Sequence, residues 1–88
     1  MPEIKMTVKH AVGLQARPAS IFAQTAAKYS SDIEAIHGDT IANAKSILVV
    51  LSLGAHKGAE ILIKADGEDA DKALNTLEEL VLDNFGEN

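Results

Sequence analysis

The sequence predicts an α+β fold of two layers, a four-stranded sheet with helices covering one face, in the order βαββαβα. Three observations predict it. Residues 3–9 and 59–66 alternate apolar and polar side chains, as half-buried strands do. Residues 16–28 and 70–85 place apolar side chains at helical spacing. Between them, Gly38-Asp39 separates two short β-like runs, which marks a hairpin.

Taken in order, the first strand covers residues 3–9, with Ile4, Met6 and Val8 facing the core. A helix over 16–28 buries Ala19, Phe22, Ala23, Ala26 and Ala27. Asp32 to His37 and Thr40 to Asn43 are the two strands of the hairpin. The run Ile47-Leu48-Val49-Val50-Leu51-Ser52-Leu53 is ambiguous by periodicity, and its β-branched residues favour a strand. Its flanks favour a short helix, because Ser46 is a good N-cap and Gly54 a good C-terminal stop. Ala59 to Asp66 is the fourth strand, and Asp66-Gly67 turns the chain. A long last helix carries the stripe Ala70, Ala73, Leu74, Leu77, Leu80, Val81 and Phe85 and stops at Gly86.

Composition bounds the function. With 88 residues the chain forms one domain, 1–88, with one modest core, and 47% hydrophobic residues is normal for a globular protein. No cysteine is present, so disulfides, thiolate metal sites and cysteine nucleophiles are excluded. The alternating N-terminal segment suits a strand rather than a signal peptide, and the apolar run Ile47–Leu51 is far too short to cross a membrane. A soluble, cytoplasmic protein without membrane insertion is the expectation. The net charge of −5 argues against direct nucleic-acid binding, and 3% aromatic residues offer no platform for stacked bases. The charge is uneven: residues 1–59 hold six Lys/Arg and four Asp/Glu, whereas residues 60–88 hold two and nine. The less acidic part is left to meet an acidic or phosphorylated partner. The acidic part is, on the plainer reading, a solvated helix face.

The most informative segment is Gly13-Leu14-Gln15-Ala16-Arg17-Pro18-Ala19. It reads as a strand exit, a tight turn and a helix start. Pro18 suits a first helical turn, where its missing N–H costs nothing. The backbone donors ahead of it and the guanidinium fork of Arg17 make this corner an anion site. A cation at a helix start opposes the macrodipole, so its placement there points to anions. Yet Gln15, beside it, carries an amide whose nitrogen lone pair is delocalised and cannot attack phosphorus. The anion corner is present and a phosphorylatable residue next to it is not.

This segment, together with Asn43-Ala44-Lys45-Ser46-Ile47 and the element order, resembles HPr, the small phosphocarrier of the bacterial sugar phosphotransferase system. The resemblance covers essentially the whole chain. It implies an open-faced β-sandwich whose antiparallel sheet has the strand order 1-4-2-3. It also implies that the position held here by Gln15 is a histidine in carriers, which accepts a phosphoryl group from enzyme I and passes it to sugar-specific components. Neutral imidazole suits that task, since it attacks with a lone pair and then leaves readily. By the same resemblance Gln15, Ala16 and Arg17 line the phosphate corner, and Arg17, Ser20, Ser46, Ile47, Leu48 and Leu51 meet partners. Ser46 matches a serine phosphorylated by an ATP-dependent HPr kinase/phosphorylase, whose product binds a catabolite-control transcription regulator. Glutamine at the carrier position is similar to the catabolite-repression branch of the family, although Gly54 and its neighbours look more like ordinary HPr. Two readings follow: a regulatory module that has lost the carrier role, or a carrier represented by a His-to-Gln variant.

The residues themselves are compatible with the regulatory reading. Ser46 is, at its plainest, an N-cap. Phosphate there would sit on free N–H groups and add about −1.5 to −2 charges beside an apolar patch. Ile47, Leu48 and Leu51 are candidates for that patch, with Leu51 equally suited to the core, and Lys45 reads as a solvent-facing charge. His10, His37 and His56 read as surface or loop histidines. No pair has helix-face metal spacing, so no metal site and no cofactor are expected. No nucleophile–base–orienter set is present, so the chain is not expected to catalyse a reaction by itself.

Overall fold

A computed structural model describes residues 2–9, 16–83 and 85. His10, Gly13, Leu14, Gln15 and Gly86, all singled out above, lie outside the described residues. The elements run β1 (Glu3–Thr7), α1 (Ala16–Ala26), β2 (Asp32–His37), β3 (Thr40–Asn43), α2 (Ile47–Leu51), β4 (Glu60–Asp66) and α3 (Ala70–Leu82). The strands form one antiparallel sheet in the order β1-β4-β2-β3.

Register sorts the side chains onto two faces. Met6 opposes Ile61, Ile4 opposes Ile63, Ala35 opposes both Ile63 and Ala42, and Ile33 opposes Ala65. These residues face the helices, where Phe22, Val50, Leu77 and Val81 complete the core. The core is rich in alanine (Ala19, Ala23, Ala26, Ala70 and Ala73 are buried on the helices), so helices approach the sheet closely without large side chains. The opposite face is open. It carries Glu3, Lys64 and Glu34 in one row, with Lys64 Nζ 3.8 Å from Glu3, and Lys5, Leu62, Ile36 and Ile41 in the next.

Several ends differ from the sequence expectation. The regular ladder of β1 stops at Thr7, but Val8 stays paired, donating its N–H to the Ala59 carbonyl at 2.8 Å and accepting from Gly58 at 2.8 Å. Helix α1 ends at Ala26 rather than residue 28. The Lys28 and Tyr29 N–H groups bond three residues back, to Thr25 and Ala26, each at 3.2 Å, so the last turn tightens. Ala27 is accordingly exposed and not part of the core. The ambiguous run is a helix, shorter than its flanks suggested. It stops at Leu51, Ser52 and Leu53 close a final tight turn, and Gly54 follows at φ 66°. Phe85 is buried but not on α3: the helix ends at Leu82, and Phe85 comes back to the core from a left-handed φ of 58°.

Candidate functional site

Helix α1, which begins at Ala16, packs directly against α2. Ala16 opens α1, and Arg17, next along, is exposed in its first turn. Pro18 is buried there, where a missing N–H costs no helical bond. Ser20 is half-buried and its Oγ accepts a long bond from Gln24 Nε2 at 3.4 Å. Gln15 immediately precedes this turn in the sequence.

Ser46 is the N-cap of α2. Its φ and ψ of −103° and 116° are extended, as a cap requires, and its Oγ accepts the Val49 N–H at 3.4 Å. Its own N–H donates to the Asn43 carbonyl at 3.0 Å, and its carbonyl accepts from Val50 at 2.9 Å. The Ile47 and Leu48 N–H groups, in the first turn, have no intrahelical acceptor by helix geometry. With five residues α2 has only a small dipole, so the local donors matter more than the helix as a whole.

The apolar patch is present around this cap. Leu48 is 79% exposed, Ile47 and Leu51 each 38%, while Val50 and Leu53 are buried. Leu51 therefore belongs to the surface and not to the core. Val49, 37% exposed, joins the patch, although it is not among the residues the sequence marks for it. A five-residue helix lying on a sheet turns one side inward, and Val50 takes that side. Lys45 is not the solvent-facing charge expected. Its Nζ donates to the Tyr29 carbonyl at 2.7 Å, tying the approach to Ser46 to the α1–β2 connection.

A polar clamp that no local sequence pattern marks lies behind these helices. Asp69, the N-cap residue of α3, makes no side-chain bond to its own helix. Its carboxylate accepts instead from the Ser30 N–H at 2.8 Å, the Ser31 N–H at 2.9 Å and the Ser31 hydroxyl. The Ser31 hydroxyl and the Ser30 amide, favouring the charged form, lower its pKa from 3.8 to about 2. The Tyr29 hydroxyl donates to Thr76 Oγ1 at 2.6 Å, a second tie between the α1–β2 connection and α3. No sequence motif announces either pairing.

An open-faced α+β domain of this strand order, with a helix-start corner and a serine-capped second helix, is the architecture of a small phosphocarrier class. The chain belongs to the PTS HPr family: the family model described as "PTS HPr component phosphorylation site" matches residues 2–83. It is 40% identical over 83 residues to the phosphocarrier protein HPr of Mycoplasma capricolum, covering 94% of this chain and 93% of that one. Among solved structures it resembles an HPr from Thermoanaerobacter tengcongensis, with a TM-score of 0.97 and 40% identity over 100% of this chain and 99% of that one. It also resembles the Bacillus subtilis protein Crh, with a TM-score of 0.75 and 38% identity over 96% of this chain and 97% of that one. Proteins named phosphocarriers carry a group and do not catalyse its chemistry. Among the described residues, no helix is long and apolar enough to cross a membrane.

Proposed function

We propose that this chain, as a single HPr-like domain over 1–88, is a cytoplasmic regulatory module of the sugar phosphotransferase system and not a phosphoryl carrier. The observation that carries the reading is the pairing of Ser46, at the cap of α2, with the exposed patch of Ile47, Leu48 and Leu51. Phosphorylation of Ser46 by an HPr kinase/phosphorylase would place a doubly acidic group over the first-turn N–H groups, which tolerate it, so the domain stays folded. A catabolite-control transcription regulator with a basic pocket beside an apolar groove then reads charge and patch together, with Arg17 and Ser20 on the neighbouring helix at the rim. Gln15 supports the loss of carrier activity, because an amide cannot take the place of an imidazole nucleophile. One solved relative is named a catabolite-repression protein, in keeping with this reading.

The test compares regulator binding by the kinase-treated protein and by kinase-treated Ser46→Ala. Binding by the first alone is expected, and equal binding by both would remove the proposal.

A second reading is favoured by the names of the family model and of the Mycoplasma relative. In it the chain carries phosphoryl groups from enzyme I to sugar-specific components, and Gln15 stands where the working carrier has histidine. Acid-labile label from phosphoenolpyruvate on this chain would establish it.

A further inference from the structure

We propose that His37 and His56 form a two-imidazole site for a divalent transition ion of the zinc class. The two residues lie far apart in sequence, one ending β2 and the other in the loop between α2 and β4. The fold sets their ring centroids 6.2 Å apart, at an interplanar angle of 70°. Metal-binding potential judged by spacing along a helix could not find such a pair.

The hydrogen bonds fix which nitrogens are available. A carbonyl oxygen only accepts, so His37 Nδ1, 2.9 Å from the Leu53 carbonyl, carries a proton and donates it. In the neutral ring, Nε2 then holds the lone pair. Metal-ligating histidines are oriented in this way, with one nitrogen tied to a carbonyl and the other facing the ion. His56 Nδ1 points in the same sense at the Gly54 carbonyl, at a longer 3.5 Å. Both supporting carbonyls lie at the exit of α2, on Leu53, which closes its last turn, and on Gly54, which follows. Among the described residues, no group is hydrogen-bonded to either Nε2.

The spacing is close to what one ion needs. Two imidazoles on a tetrahedral ion, with metal–nitrogen bonds of about 2.0–2.1 Å, have ring centroids about 5 Å apart. The pair has to close by about 1 Å and turn. His χ2 is a soft torsion, and His56, exposed and loosely held, is the ring that moves. Among the described residues, no group of three His, Cys, Asp or Glu converges on one point. The remaining coordination positions therefore belong to water or to a second molecule, which makes the ion exchangeable. Imidazole favours zinc, nickel and copper over magnesium and calcium. A bound ion would tie the β2–β3 hairpin to the exit of α2, beside the exposed patch.

The test is titration of the tag-free full chain with zinc chloride, followed by the imidazole NMR resonances and by calorimetry. Saturable shifts of His37 and His56 are expected. Loss of a ligand costs at least what loss of a supporting contact does, so His56→Gln should weaken binding by about tenfold or more. His56→Gln is the deciding variant, since His37→Gln also removes the bond to Leu53 and loosens the fold. No saturable shift at the two rings, or undiminished binding by His56→Gln, would each overturn the site.

Discussion

Asp69 accepts two hydrogen bonds from Ser31, one from its amide at 2.9 Å and one from its hydroxyl, across 38 positions of sequence. Ser31 is only 1% exposed, so its amide and hydroxyl have little water to turn to if Asp69 is lost. The clamp joins the end of the α1–β2 connection to the start of α3 and thereby fixes the back of the helical layer that presents the candidate site.

The first prediction concerns pH. Folding lowers the Asp69 pKa from 3.8 to about 2, so folding favours its charged form. That contribution is complete above pH 3.8 and disappears as pH falls through about 2. Asp69→Asn cannot titrate. Chemical denaturation at a series of acid pH values should show the native chain more stable than Asp69→Asn at neutral pH. The gap should narrow within that window, and a constant gap would count against the clamp.

Gly67 supplies the second. Its φ of 154° lies in a region that L side chains rarely adopt, and a Cβ there would come 2.5 Å from Ser31 Oγ and 2.8 Å from Ser31 Cα. Gly67→Ala should therefore destabilise by more than about 1 kcal/mol in urea titrations, with Ser31 and Asp69 amide resonances shifted first.

The third separates patch from core. Leu48 is 79% exposed and Leu77 fully buried. Leu48→Ala should leave stability within about 0.5 kcal/mol of the native value, while Leu77→Ala should cost about 2–5 kcal/mol. Only Leu48→Ala should weaken regulator binding without lowering the melting temperature. If both variants melt alike, the division of the helical layer drawn above is wrong.

Much of this architecture is legible in the sequence because local and long-range preferences agree. The boundaries of β2 and β3 follow from alternation broken at Gly38-Asp39, with Gly38 at a φ of 60°. The short helix α2 is legible only through its ends, Ser46 and Gly54, since its apolar run fits a strand equally well. Ala27 misleads because helical spacing continues through the turn where the bonds tighten. Phe85 misleads for a related reason: it falls on the α3 stripe by spacing, yet reaches the core after the helix has ended. The exposure of Val49 depends on how α2 rolls on the sheet, which no periodicity in five residues can state. Asp69 with Ser31, Lys45 with Tyr29, and His37 with His56 are pairings made by tertiary approach, and no local pattern encodes them.

On the proposed function Ser46 accepts phosphate and Gln15 does not. Intact-mass spectrometry after two parallel incubations tests it most directly, one with an HPr kinase/phosphorylase and ATP, the other with enzyme I and phosphoenolpyruvate. A gain of about 80 Da, one phosphoryl group, is expected in the first alone and located on Ser46. A gain in the second incubation, or a first-incubation gain that survives in Ser46→Ala, would contradict it.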